Sequence, residues 1–204
     1  MLRGIDISHW NTKKDNCSFS SEDFVIIKAT QGVNYIDPHM TYNIKIALDN
    51  DMLYGLYHFF AYDRSPESQA KHFVKTIGDN IGNAILVLDW ESNASLLSSE
   101  IAERFLQTVY NLTGVRPLIY MSYSLVEQRG KWDSIASKYG LWCARYGRND
   151  GKKYKLPSVS PWEVCAIHQY TSRGTSEDVV GYVDRNIAYM THEAWERYAK
   201  GDRH

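Results

Sequence analysis

What the sequence is short of narrows its chemistry before any motif is considered. Three cysteines, Cys17, Cys143 and Cys165, stand far apart with no CxxC pair among them. So sparse and odd a set is neither a disulfide framework nor a zinc site, and it fits a chain made in a reducing compartment. Cys143 and Cys165 fall in apolar, strand-like runs, where a cysteine acts as a small buried hydrophobe. Long runs of like charge are missing too: 23 Lys and Arg oppose 24 Asp and Glu, for a net charge of -1. That balance argues against nucleic acid as a partner, since duplex binding draws its affinity mainly from phosphate neutralisation. No apolar stretch approaches the roughly 20 residues that span a bilayer, so no membrane insertion is expected. The opening MLRGIDISHW lacks the basic stretch and apolar core of a signal peptide, and Asp6 would interrupt one. Without a secretory route, the N-x-S/T matches at Asn16, Asn93 and Asn111 are read as chance. No HxH or HxxxH pair occurs, so His9, His58 and His168 are read as hydrogen-bonded scaffold rather than metal ligands.

What is present is a core. The 204 residues are 44% hydrophobic and 13% aromatic, which excludes a disordered chain and suffices for one substantial domain over 1–204. Eight short β-branched or aromatic runs recur: RGIDIS, FVIIKAT, LYGLYHFF, AILVLDWE, PLIYMS, LWCARY, VCAIHQY and GYVDRNI. Most begin apolar and end polar, acidic or aromatic, and runs such as AILVL suit strands buried on both faces. Helical spacing appears from Asp37 through Met40, Ile44, Ala47 and Leu48, and again from Ser65-Pro66-Glu67 to a stop at Gly78. Ile101, Phe105, Leu106, Val109 and Leu112 form the clearest stripe, ended by Gly114. A weaker helix is predicted over 124–139 and an amphipathic one over 192–200. The crossover 11–23 is polar and short, and KKYKLPSVSP and TSRGTSED read as loops, so the last strands lack crossover helices. The fold class is therefore α/β: a β/α barrel that loses its helices towards the C-terminus.

Acids punctuate the strand ends. In LVLDWE, Asp89 and Glu91 stand at i and i+2, hence side by side on one face of a strand. Neighbouring carboxylates oppose each other's ionisation, and burial beneath Trp90 or other aromatics would raise a pKa further. One protonated acid beside one ionised carboxylate is what acid-catalysed glycoside cleavage requires. Taken alone, such a pair also serves to cap loops or bind lysines. Company strengthens the catalytic reading: Asp6 closes the first strand, Asp184 lies in the last, and first and last strands are neighbours in a closed barrel. Aromatics collect at the same ends, namely Trp10, Tyr57, Phe59, Trp90, Tyr120, Trp142, Tyr146 and Tyr170. Flat rings stack on sugar faces and Gln169 bonds to ring substituents, so Tyr57, Phe59, Tyr120, Trp142 and Gln169 form the candidate substrate-binding set.

Along nearly its whole length the chain resembles glycoside hydrolase family 25, the lysozymes or muramidases described in fungi and phages. The blocks that carry the resemblance are GIDISHW, FVIIKATQG followed by YIDP, YGLYHFF, LVLDWES, IYMS, LWCARY, IHQY and VDRN. The resemblance implies a flattened barrel of eight strands and about five helices. It implies hydrolysis of the β-1,4 bond between N-acetylmuramic acid and N-acetylglucosamine in bacterial peptidoglycan, with no cofactor. Carried over by position, Glu91 is the general acid, Asp89 supports the substrate's 2-acetamido group, and Asp6 and Asp184 line the same acidic floor. Tyr57 and Gln169 fall where the family contacts substrate. Gln31 departs from the Glu common in KATEG, and Asn11 from the Gln common after the tryptophan, which bears on the groove's rim. A monomer is expected, of a phage-lysin type: made in the bacterial host cytoplasm and acting on the wall after release, or secreted if a leader was removed.

Three alternatives remain at this level. A chitinase-type barrel would carry a longer DxxDxDxE run, whose earlier members LVLDWES lacks. A sugar-binding module with a dead site has no reason to keep the full acidic set. A metal-dependent hydrolase lacks a ligand cluster of suitable spacing.

Overall fold

The computed structural model describes residues 1–11, 19, 21–62, 64–128, 130–176, 179 and 181–202. Cys17, the sequon at Asn16 and most of the first crossover lie outside these. The strands, in chain order, are β1 (Leu2–Ile7), β2 (Phe24–Gln31), β3 (Tyr35–Ile36), β4 (Leu53–Phe59) and β5 (Ile85–Asp89), then β6 (Leu118–Ser122), β7 (Leu141–Ala144), β8 (Ile167–Gly174) and β9 (Val183–Ala188). Eight of them close a barrel in the order β1-β2-β4-β5-β6-β7-β8-β9, and β9 returns to β1. All neighbours are parallel except β9, which runs antiparallel to both β8 and β1. The short β3 adds to the end of β2 as an antiparallel hairpin. Sequence patterning misses it because both of its residues are exposed and no apolar alternation marks it.

Period-two alternation divides the apolar residues into two bodies. Ile85 and Val87 of β5 point into the barrel with Phe24, Ile26, Leu53, Leu118 and Ile167. Leu86 and Leu88 point outwards, against the layer that holds Phe73 and Phe105. Those two come from α2 (Pro66–Ile77) and α3 (Ser99–Thr113), both marked in the sequence. Ser65 caps α2 by accepting from the Ser68 backbone N–H, with Pro66 in the first turn. Gly114 ends α3 in the left-handed region, φ 71°, its N–H returning to the Tyr110 carbonyl.

Three expectations need correction. The first helix, α1 (Met40–Asp49), begins three residues after Asp37. The Asp37 carboxylate accepts from the His9 backbone N–H, His9 Nδ1 and the His39 N–H, which holds 37–39 in a turn. The helix predicted over 124–139 is two short pieces, α4 (Tyr123–Val126) and α5 (Asp133–Ala136). Between them Gly130 takes φ 74° and Trp132 turns fully inward, donating its Nε1–H to the Leu125 carbonyl. Finally, the loop expected to begin at Thr171 is still strand: β8 runs on to Gly174 through register shifts against β9.

A last helix, α6 (His192–Lys200), closes the end of the barrel away from the strands' C-termini. Its Trp195 is fully buried with its ring 4.7 Å from that of Phe24. Gly4 pairs with Phe24 across β1 and β2, and a Cβ at Gly4 would fall on the Phe24 carbonyl oxygen and ring. No flexible side-chain end is there to yield. Gly4→Ala should therefore cost about 2–3 kcal/mol of stability, as overpacked cores do. A urea titration of the two proteins measures this; an unchanged midpoint would show that the Gly4–Phe24 contact relaxes freely.

Candidate active site

The open end of the barrel carries the acids. Asp6 stands near the end of β1 and Asp89 at the end of β5, both pointing inwards by strand parity. Asp184 is the second residue of β9 and directly opposes Asp6. In a parallel strand, a second residue would lie at the far end of the barrel. Because β9 is antiparallel, its beginning lies where the other strands end, and Asp184 reaches the same mouth. Glu91 follows two residues after Asp89, with extended backbone, and the chain turns at once through Ser92 at φ 52°. A non-glycine residue in that region stores about a kilocalorie per mole or more, here at the residue that fixes where Glu91 projects.

These four carboxyls enclose a cavity of about 180 Å³ with Tyr57, Tyr120, Trp142, Tyr146 and Gln169. Of the sequence-predicted set, the structure brings together Asp6, Asp89, Glu91, Asp184, Tyr57, Tyr120, Trp142 and Gln169. Phe59 does not line the cavity; its ring lies 4.8 Å beneath the Lys28 ammonium at the rim. Tyr146 does line it, and its place in LWCARY, four residues after Trp142 and hence of the same parity, was the available signal. Trp90 faces the other way, fully buried against Phe60, so the acids are roofed by Tyr57, Tyr120 and Trp142 instead. Trp10 stays outside, 83% exposed. A larger recess of about 830 Å³, bordered by Gly140, Trp162 and Tyr198, lies towards the barrel's other end and holds none of these acids.

A hydrogen-bond network fixes the floor. Asp6 Oδ2 accepts from Gln169 Nε2 at 2.8 Å and from Asn186 Nδ2 at 2.7 Å. Trp142 Nε1 donates to Asn186 Oδ1, while the Tyr120 and Tyr146 hydroxyls both donate to Gln169 Oε1, at 2.8 and 2.6 Å. Both amides are thus locked in orientation, and β1, β6, β7, β8 and β9 are tied across the mouth. Asn186 escaped the sequence reading, although its position two residues after Asp184 in VDRN puts it on the same face. The scaffold histidines are hydrogen-bonded as expected. His58, fully buried, donates from Nε2 to Gln69 Oε1 and accepts at Nδ1 from the Thr30 hydroxyl, and burial lowers its pKa to about 3. His168 reaches the Arg145 carbonyl, and His9 pairs with Asp37.

Burial raises the pKa of every carboxyl in the cavity. Asp6 rises to about 6, held back by its two amide donors. Asp184, which has no such donors among the described residues, rises to about 8 through burial and the nearby Asp6 and Glu91. Asp89 is pushed well above the usual range by burial, then by Glu91 and Asp6. Its Oδ1 is buried without a hydrogen-bond partner among the described residues. Glu91 is also raised by burial, against the opposing charge of Lys28. Burial therefore favours the protonated form of all four acids, so the proton is not confined to Glu91. Among the described residues, no group of three His, Cys, Asp or Glu side chains is placed to hold a metal ion.

Comparison with known proteins follows the same outline. The family model for glycosyl hydrolases family 25 matches residues 5–179. Lysozyme M1 of Streptomyces globisporus is 30% identical over 202 residues, covering 91% of this chain and 67% of that protein. The uncharacterized protein YegX of Escherichia coli K12 is 28% identical over 214 residues, covering 98% and 74% respectively. Among solved structures, the bacterial lysozyme from Streptomyces coelicolor superposes with a TM-score of 0.81 at 28% identity, covering 98% of this chain and 97% of that one. A muramidase from Acremonium alcalophilum also gives 0.81, at 25% identity, covering 99% and 100%. With a family model spanning most of its length, the chain belongs to glycosyl hydrolases family 25.

Proposed function

We propose that the protein is a muramidase, cleaving the β-1,4 bond from N-acetylmuramic acid to N-acetylglucosamine in bacterial peptidoglycan. One observation carries the reading: four carboxyls meet in a single aromatic-walled cavity, and the most buried of the DWE pair presents an unpaired oxygen. An amide N–H of the substrate's 2-acetamido group suits that oxygen. Such a bond favours ionised Asp89 and leaves the shared proton to Glu91. Glu91 then gives its proton to the glycosidic oxygen as the C1–O bond breaks. The acetamide carbonyl oxygen closes on C1, and Asp89 steadies the positive charge that results. Water attacks C1 in the second step as the bond from C1 to the acetamide oxygen breaks, which restores the acetamide, and the water's proton passes to Glu91. Burial holds the Tyr57 and Tyr120 hydroxyls protonated throughout, so they act as hydrogen-bonding groups rather than bases. A wall-lytic role of the phage-lysin kind rests on the same reading.

Mass spectrometry of digested peptidoglycan tests the bond assignment. New reducing-end muramic acid is expected, whereas reducing-end glucosamine or freed peptides would refute it. Glu91→Gln keeps shape but removes the transferable proton, so turnover should drop by about a hundredfold or more with the fold intact. Asp89→Asn should be similarly severe in kcat. Turbidity clearance and circular dichroism on both variants decide the matter, and near-wild-type lysis by either would take that residue out of its role.

The pH dependence follows from the same groups. Activity should trace a bell, with an alkaline limb where the Glu91 site loses its proton. Above about pH 6 Asp6 is negative, whereas Asp184 stays neutral until about pH 8, so a limb between these values feels Asp6 and not Asp184. Removing a negative neighbour makes Glu91 easier to ionise, so Asp6→Asn should move the limb to lower pH. Asp184→Asn should move it less. Rate profiles measured with chemistry rate-limiting would contradict the four-acid site if Asp6→Asn left the limb in place.

A further inference from the structure

Beside the acid cavity lies a second recess, of about 470 Å³, whose walls include His9, Trp10, Lys28, Gln31, Tyr35 and Arg64. The two adjoin through β2 and β4, where Lys28 pairs in register with Tyr57 of the acid cavity. We propose that this recess is a subsite for a carboxylate on the 3-O-substituent of the muramyl unit, with Lys28 as the cation that receives it. The proposal rests on the muramidase reading, because muramic acid differs from glucosamine by a lactyl ether at O3. That lactyl carboxyl is either free or amide-linked to a peptide bearing carboxylates of its own.

The surroundings of Lys28 carry the argument. It stands in the apolar run FVIIKAT at the parity of Phe24 and Ile26, and so belongs to the inner face of the barrel. Its ammonium donates to Gln31 Oε1 at 2.9 Å and lies 4.8 and 5.7 Å from the centroids of Phe59 and Tyr35. All three partners are neutral. An ammonium has three donors, and one is used. Asp89, Asp37 and Glu91 act on it only from a distance; among the described residues none of them forms an ion pair with it. Asp37 is already filled by His9 and His39. Half-buried and without a direct ion pair among the described residues, Lys28 keeps two donors for an anion from outside the protein. Repulsion from the acid cavity is moderated because Asp184, with a pKa of about 8, is neutral near pH 7. The exposed rings of Trp10 and Tyr35, 83% and 38% accessible, give the remainder of the substituent an apolar surface to lie on.

The test compares soluble glycan strands in four forms. Peptide-free strands expose the lactyl carboxylate, and peptide-bearing strands expose those of the stem. Each is also prepared with its carboxylates converted to amides by carbodiimide and ammonia. The readout is the ratio of kcat/KM for the carboxylate form over its amide. Any influence of Lys28 on Glu91 acts on both forms alike and cancels in that ratio. Wild-type protein should favour the carboxylate by about tenfold in one pair, the worth of a charge-assisted contact. Lys28→Met should bring the ratio near one, and Lys28→Arg should retain most of it. Gln31→Glu, which places a carboxylate against the ammonium, should lower the ratio without disturbing the barrel, and serves if Lys28→Met folds poorly. An effect on peptide-free strands identifies the lactyl group as the ligand; one confined to peptide-bearing strands identifies the stem. Ratios untouched by Lys28→Met and Gln31→Glu in both pairs would overturn the subsite. Failure of the wild type to cleave any form would instead refute the muramidase reading.

Discussion

The site depends on how the barrel closes. Seven parallel strands leave one gap, and β9 fills it antiparallel to both of its neighbours. That reversal sets Asp184 opposite Asp6 and Asn186 opposite Gln169. Asp6 Oδ2 then accepts from β8 and β9 at once, so the ladder hydrogen bonds and the floor of the acid cavity reinforce each other. A parallel β9 would need a crossover connection of a dozen residues or more and would carry Asp184 to the wrong end. The chain instead joins β8 to β9 through residues 175–182, with no helix among the described residues there, in keeping with the loss of helices from the last third of the sequence.

Holding four carboxyls in one small cavity works against folding unless their charge is suppressed. Here burial does the suppressing, and the protons stay on. Among the described residues only Asp6 receives amide donors that stabilise a carboxylate, and its pKa rises to about 6 against about 8 for Asp184. Asp89 is raised by burial with only the charge of Lys28 against it, and its Oδ1 has no hydrogen-bond partner among the described residues. In the proposed mechanism substrate binding and proton placement are one event. An acetamide N–H on that oxygen would favour ionised Asp89 and leave the proton to Glu91.

Much of this was legible in the residues. Parity placed Asp89 beside Glu91, the stripe from Ile101 to Leu112 gave α3, and Ser65-Pro66 gave the start of α2. Other features depend on partners that no local pattern reveals. Trp90 was expected over the acids, but alternation turns it towards Phe60 and the outer layer. Phe59 shares the parity of Tyr57, yet the register between β2 and β4 shifts just past the Lys28–Tyr57 pair, and Phe59 lies at the rim under Lys28. Asp37 reads as a helix start in sequence, and His9, twenty-eight residues away, claims its carboxylate. Lys28 looks like an accident in an apolar strand until the barrel sets it in the wall of a recess beside the acid cavity. The direction of β9 was likewise unavailable, since a strand's composition does not record which way it runs.

The three residues Asp89, Trp90 and Glu91 show how little freedom the design has. Alternation sends the two acids inwards and the indole outwards, where it is fully buried with Phe60 at 4.9 Å. A slip of one residue would put Trp90 in the mouth and thrust both carboxyls into the layer between β5 and α3. The polar groups of that layer, Thr30, His58 and Gln69, are already bonded to one another, and the remaining neighbours include Phe60, Phe73, Phe105 and Leu106. Two carboxyls there would either disrupt that network or go without hydrogen bonds, at a cost of several kilocalories per mole each even when protonated. Trp90 thus acts on the chemistry from the far side of the strand. By filling the outer layer it fixes the register, and the left-handed turn at Ser92 then ends the strand with Glu91 held at the lip of the cavity.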